Sequence, residues 1–342
     1  MRVPGSPTRR RIGAPALGLG EVGPIGLGCM NLSHAYGVPP PAAAAADLLL
    51  RALDAGVDFF DTAALYGFGA NEELLGRTLA RHRSRFLLAS KCGMTGVDGK
   101  RVIDGRPDTL RRTCDEALRR LRTEVIDLYY LHRWDRRVPI EDSVGALADL
   151  ARAGKIRGIG LSEVSAATLR RAHAVHPVAA VQNEYSLWTR NPEIGLLDAC
   201  RELDVTLVAF SPLGRGFLAG GVGDAALLDA KDIRRSMPRF DAENMATNRL
   251  AFEACAGLAA EARCTPAQLA LAWLLARDPL VVPIPGTTST AHLLENLGAA
   301  GLQIDAGLLR RLDAPFEGAR IAGARYNAAT QAEIDTEEFA GG

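Results

Sequence analysis

The six cysteines (Cys29, Cys92, Cys114, Cys200, Cys255 and Cys264) form no C-x-x-C pair, and none of them clusters with histidine. That scatter supports neither a zinc site nor a disulfide framework, and it points to a reduced, intracellular protein. A surplus of one charge is missing too, since 40 Lys and Arg stand against 40 Asp and Glu in 342 residues. General affinity for nucleic acid or an anionic membrane needs clustered excess cations, so the expected partner is a small molecule. Long apolar runs are absent as well. Residues 42–50, the longest stretch of small apolar residues, are interrupted by Asp47 and are too short to span a bilayer. The basic start, MRVPGSPTRRR, leads into no apolar segment of the kind a secretion signal carries. A cytoplasmic location is the expectation.

Aromatic residues make up only 6% of the chain, yet a hydrophobic fraction of 48% is enough to fill a large core and excludes intrinsic disorder. Short apolar runs at 25–30, 59–62, 86–91, 128–132, 156–162, 178–183, 207–211 and 281–286 alternate with longer helical patterns. The runs are continuous rather than alternating, as expected for parallel strands covered by helices on both faces. Helix signals lie between them: 43–53 after a proline run, 107–121 opening on a proline, and Thr265-Pro266-Ala267-Gln268, a capping box that leads into 269–276. Eight strand-helix units predict a single (β/α)8 TIM barrel over 1–342, with a doubly wound sheet as the competing layout. Three stretches fall outside the repeat. Residues 10–23 read as an N-terminal hairpin closing one end, 214–248 as a long loop after strand seven, and 314–342 as a covering C-terminal segment. Residues 1–9 are expected to be flexible.

Gly18-Leu19-Gly20-Glu21-Val22-Gly23 satisfies the dinucleotide fingerprint G-x-G-x-x-G, which has a mechanism only between a strand and a helix N-terminus. Here another strand pattern follows, so a hairpin turn is expected. The informative positions are strand ends: Asp61 with Tyr66 in the next loop, Lys91, and His132. Each alone has an ordinary reading as a cap, a solvated end or a core histidine. Together they form a proton-donating device, in which Lys91 lowers the phenol pKa, Asp61 holds Lys91 and His132 binds the oxygen that Tyr66 protonates. That chemistry requires no metal, and none is expected.

Five blocks in order resemble the aldo-keto reductase superfamily: Gly26-Leu27-Gly28-Cys29-Met30; Phe60-Asp61-Thr62-Ala63 with Tyr66; Ser90-Lys91 with Leu131-His132-Arg133; Ser211-Pro212-Leu213-Gly214-Arg215-Gly216-Phe217-Leu218; and Ile284-Pro285-Gly286-Thr287 with Glu295-Asn296. They cover nearly the whole chain and look most like the bacterial and plant branch. The resemblance implies an NADPH-dependent reductase of aldehydes or ketones, with NADH not excluded. It assigns Tyr66 as general acid, Lys91 and Asp61 as its tuning pair, and His132 as the substrate-orienting group. Cys29 and Met30 would line the nicotinamide pocket, Ser162 and Gln182 would meet the carboxamide, and Phe210 the ring face. The backbone of Ser211, Leu213, Gly214 and Arg215 would surround the pyrophosphate; Gly286 belongs to the same cofactor segment, and Glu295 and Asn296 would hold adenine.

Three departures stand out. Glu163 follows Ser162 at the carboxamide, where many relatives carry Asn, Phe210 replaces a frequent Tyr, and Thr288, Ser289 and His292 stand where relatives place Lys or Arg for the 2′-phosphate. Hydroxyls with His292, or Arg215, are the substitutes at hand. Trp134 and Trp188 read equally well as substrate-pocket walls or ordinary packing. His173 and His176 read as a solvated helix face, as do Arg111-Arg112 and Arg119-Arg120. The superfamily also contains channel-associated regulatory subunits with the same residues, which is the alternative from a different functional class. A metal-dependent hydrolase would need a histidine ligand set that the six histidines do not offer. The substrate and the oligomeric state are not written in any motif.

Overall fold

The computed structural model describes residues 8–317 and 321–339, so most of the segment 1–9 expected to be flexible lies outside the described residues. Eight parallel strands lie side by side in chain order: β1 (Leu27–Gly28), β2 (Phe59–Asp61), β3 (Leu87–Cys92), β4 (Ile126–Leu131), β5 (Ile156–Ser162), β6 (Val178–Glu184), β7 (Thr206–Phe210) and β8 (Val281–Pro283). The ring closes where the Gly26 and Gly28 amides donate to the carbonyls of Pro283 and Pro285 at 3.0 and 3.3 Å. Glycine is required there, because a Cβ on Gly28 would stand 2.8 Å from the Ile284 carbonyl oxygen. Of the expected first strand only Leu27–Gly28 pairs in the ladder.

The strands bury two separate faces, which explains why their sequences do not alternate. The inner cluster joins Phe59, Leu87, Leu128, Tyr130, Val208 and Val282 to Ile12, Leu19 and Val22 of the N-terminal hairpin. That hairpin pairs Arg10–Arg11 with Glu21–Val22 and plugs the barrel floor. The glycine-rich fingerprint is therefore its turn, with Gly18 and Gly20 at positive φ. The outer face packs on α1 (Ala42–Asp54), α2 (Ala70–Leu79), α3 (Pro107–Leu121), α4 (Ile140–Arg152), α5 (Ala166–Val175) and α6 (Leu196–Leu203).

Between β7 and β8 lie α7 (Ala242–Glu261) and α8 (Pro266–Arg277), and the Thr265/Gln268 capping box forms as expected. The long loop ends earlier than the sequence suggests, because α7 begins at Ala242. After β8 come α9 (Thr290–Gly298) and α10 (Ala306–Asp313), and α11 (Ala328–Gln331) belongs to the C-terminal segment. A second hairpin, Met94–Val97 with Lys100–Ile103, follows β3 and was not expected.

α2 and α3 touch through Gly76, where a Cβ would lie 2.2 Å from the Arg120 carbonyl oxygen. Gly76→Ala should therefore destabilise the protein by about 1–3 kcal/mol through overpacking, outweighing the gain in helix propensity of about 1 kcal/mol or less. Urea unfolding checks this, and a raised midpoint would contradict the close contact.

Candidate functional site

At the carboxyl ends of the strands the barrel opens into a cavity of about 640 Å³. β2 delivers Asp61 to its wall and β3 delivers Lys91 beneath it, while Tyr66 enters from the turn before α2 and His132 follows β4. Lys91 is fully buried; its Nζ donates to Asp61 Oδ1, to the Thr62 carbonyl at 2.9 Å and to the Tyr66 hydroxyl at 3.2 Å. Gln182 Nε2 donates to the other Asp61 oxygen at 2.7 Å. The aspartate is thus held on both sides. The turn carrying Tyr66 is fixed by Asn71, a buried residue that sequence reasoning missed: its side chain accepts from Thr62 Oγ1 at 2.6 Å and donates to the Cys29 carbonyl at 2.8 Å.

Burial alone would strip Lys91 of its proton, but Asp61 and then Tyr66 oppose that and raise its pKa above the ordinary value. The ammonium is therefore kept. Burial also pushes the Tyr66 phenol above its usual range, Lys91 pulls it back and Asp61 adds to the rise. The expectation from sequence is that Lys91 lowers the phenol pKa. Lys91 does act in that direction, but burial, the largest influence, outweighs it, so Tyr66 carries its proton at neutral pH. Burial drives His132 well below the ordinary imidazole value, with Arg133 and Lys91 acting in the same direction. His132 is neutral, and its Nδ1 is buried without a hydrogen-bond partner. Its ring meets that of Tyr66 edge-on at 5.8 Å.

Of the remaining positions singled out in the sequence, Met30, Ser162, Gln182, Phe210, Ser211, Leu213, Arg215, Gly286, His292, Glu295 and Asn296 line the cavity. Cys29, Glu163, Gly214 and Thr288 do not. Cys29 turns its thiol to the Leu27 carbonyl, 3.6 Å away, and Gly214 packs against the Trp188 ring. Thr288 is exposed, and Thr287 takes the lining position beside it. Glu163 turns away from the cavity: one carboxylate oxygen accepts from the Glu184 amide at 2.9 Å and the other from Arg325 at 2.7 Å. Neither tryptophan lines the cavity. Trp134 donates to the Val138 carbonyl at 2.9 Å, and Trp188 stacks on Phe217 with centroids 4.1 Å apart. Packing is the reading the structure favours for both.

Residues the sequence did not flag complete the mouth. Met94 and Arg101 come from the second hairpin, and Tyr326, Asn327 and Thr330 from the C-terminal segment. That segment is held by buried charges: Arg325 bridges Glu163 and Glu184, and Arg215 donates to Glu184 and to the Tyr326 hydroxyl, both at 2.9 Å. No local pattern announces contacts between residues so distant in sequence.

The cavity suits a long, anionic, partly aromatic ligand. Asn31 Oδ1 and His132 Nδ1 are buried polar atoms on its wall that lack protein partners. At one end the backbone of Ser211, Gly214, Arg215 and Gly216 turns through positive φ at four of six consecutive residues, a concave arrangement suited to phosphate oxygens. Among the described residues no helix is long and apolar enough to cross a membrane.

The sequence profile of the Aldo/keto reductase family matches residues 24–315. A soybean (Glycine max) protein named Probable aldo-keto reductase 1 is 44% identical over 310 residues, covering 90% of this chain and 89% of its own length. Among solved structures, a glycerol dehydrogenase from Gluconobacter oxydans superposes with a TM-score of 0.82 at 27% identity, over 94% of this chain and 98% of that one. An aldo-keto reductase from Bacillus halodurans, solved in its holo form, shares the fold with a TM-score of 0.75 at 23% identity, over 94% and 99% of the two chains. The barrel, its mouth and these relatives agree: the chain belongs to the aldo/keto reductase family, oxidoreductases that act on carbonyl or alcohol groups with nicotinamide cofactors.

Proposed function

We propose that this protein reduces an aldehyde or ketone to an alcohol with NADPH, with Tyr66 as the proton donor. One observation carries the reading: a proton-bearing phenol, supported from behind by a buried Lys91–Asp61 pair, stands on the wall of a cavity with an unpartnered histidine nitrogen beside it. The nicotinamide, when bound, supplies the hydride for the carbonyl carbon. Tyr66 gives its phenolic proton to the carbonyl oxygen as negative charge develops there, and Lys91 stabilises the phenolate left behind. Asp61 keeps Lys91 charged and, through Gln182, fixed in direction. His132, being neutral, donates a hydrogen bond to the same oxygen without competing for the proton.

The residues present fit the cofactor. Phe210 and Met30 would flank the nicotinamide, Ser162 and Gln182 its carboxamide, and the Ser211–Gly216 turn would take the pyrophosphate. Glu295 and Asn296, on α9, would hold the adenine. Ser289 and His292 at the start of α9 are the donors for a 2′-phosphate, with no Lys or Arg beside them, so the preference for NADPH over NADH is expected to be modest. Nicotinamide fluorescence titration should give the lower Kd for NADPH, followed by turnover on a carbonyl panel. An equal or tighter fit for NADH would overturn the cofactor preference. A tight cofactor complex with no turnover on the panel would favour a regulatory subunit instead.

A further inference from the structure

Four arginines line the cavity, and three of them have carboxylate partners. Arg101 reaches Glu333 at 2.5 Å, Arg215 reaches Glu184 at 2.9 Å, and Arg234 reaches Asp232 at 2.7 Å. Arg133 is the exception, having no carboxylate within ion-pairing distance among the described residues. Its Nη1 donates to the His132 carbonyl at 2.7 Å and to Ser162 Oγ at 3.2 Å, which pins the guanidinium against the end of β4 and β5. Its Nε is buried without a partner. The side chain is half-buried, so water compensates its charge only in part.

Position decides which anion belongs there. Arg133 directly follows His132, and its charge is felt at both Tyr66 and His132. The turn suited to phosphate oxygens and the adenine-side residues of α9 belong to β7, β8 and their loops, several strands around the barrel. The end of the cofactor that would lie near Ser162 is an uncharged carboxamide. The counter-ion missing at Arg133 is therefore to be supplied by the molecule being reduced.

Resting on the reading of function above, we propose that Arg133 is a specificity-determining residue that receives a carboxylate of the carbonyl substrate, so that the preferred substrates are oxo acids rather than neutral aldehydes. The carbonyl oxygen lies between Tyr66 and His132, and the carboxylate occupies the guanidinium next to them. An Arg–carboxylate pair in a half-buried site is charge-assisted and strongly directional.

The test compares two matched pairs, 4-oxobutanoate with its methyl ester and 3-carboxybenzaldehyde with methyl 3-formylbenzoate. Wild-type protein should show a kcat/KM for the acids about tenfold to a hundredfold above that for the esters, the range expected of hydrogen bonds to a charged group. That ratio should shrink as ionic strength is raised. Arg133→Gln should collapse the ratio mainly through KM for the acids, and Arg133→Lys should retain part of it. Equal use of acid and ester by the wild type, or an acid preference that survives in Arg133→Gln, overturns the proposal. So does a rise in the NADPH Kd of Arg133→Gln with the ratio unchanged, because the guanidinium would then serve the cofactor. If the wild type reduces neither members of the pairs nor any neutral aldehyde, the reductase reading itself fails, a result distinct from equal turnover of both.

Discussion

Tyr66→Phe is expected to lower kcat by about two to four orders of magnitude while leaving the NADPH Kd within about twofold of wild type, since a positioned general acid contributes that much to a rate. The substitution removes one oxygen and leaves Lys91 paired to Asp61, so the fold has no uncompensated charge to accommodate. The ring keeps its edge-on contact with His132 and its place over the Lys91 ammonium, 4.9 Å from the ring centre. What is lost is the proton. Burial holds the Tyr66 pKa above the ordinary phenol value, so the wild-type group enters the reaction protonated. His132 is neutral and buried, and Lys91 faces the back of the phenol rather than the cavity, which it does not line. The measurement is single-turnover reduction followed at the nicotinamide absorbance, with Kd from fluorescence quenching. A variant turning over within tenfold of wild type would move the acid role elsewhere; one that no longer binds NADPH would place Tyr66 in the cofactor's binding energy.

The four residues of this device were legible because barrel geometry puts strand ends at one mouth, so Asp61, Lys91 and His132 could be brought together by counting strands. Strands buried on both faces also announce themselves as unbroken apolar runs, and β5 was bounded correctly at 156–162 for that reason. First-strand pairing was overestimated because Gly26 and Gly28 close the ring with two single hydrogen bonds, not a regular ladder. The resemblance puts Glu163 at the carboxamide, where many relatives carry Asn. A strand sends successive side chains to opposite faces, and Glu163, at φ 53, leaves the strand altogether. The second hairpin, and the residues by which the expected C-terminal segment reaches the mouth, were not legible for a different reason. Their contacts with the mouth depend on partners far away in the chain, such as Arg325 with Glu163 and Arg101 with Glu333. Periodicity carries no information about such pairs.

Those distant pairs give the second large effect. Arg325→Met should detach the C-terminal segment from the mouth, raising KM for cofactor and substrate by about tenfold or more while the barrel itself remains folded. Arg325 is buried, and its loss leaves Glu163 with only a backbone amide and Glu184 with one guanidinium fewer; breaking a buried pair from one side costs about 3–5 kcal/mol. Other anchors remain, among them Arg215 on the Tyr326 hydroxyl, Arg101 on Glu333 and Arg136 on the Ile334 carbonyl. Asp335 accepts from Ser165 and Thr168 at 3.0 and 2.6 Å, and Asn191 donates to the Glu337 carbonyl at 2.9 Å, all at partly buried positions worth about 1 kcal/mol each. Local release relieves the unpaired carboxylate in the core, and with it Tyr326, Asn327 and Thr330 leave the cavity wall. Acid should act in the same direction. Burial opposes the charge on Glu184, but Arg215 and Arg325 outweigh it and hold its pKa at about 2, below the ordinary 4.5. A depressed carboxylate stabilises the fold above its unfolded value, so this contribution, on the order of 3 kcal/mol, is complete above about pH 4.5 and is lost as pH falls toward 2. Amide exchange of residues 321–339 reports both effects. Loss of protection there in Arg325→Met at neutral pH, with β4 and β5 still protected, is the expected pattern. Uniform loss across the barrel would mean that the charges hold the whole fold, and unchanged protection would mean that the other anchors suffice.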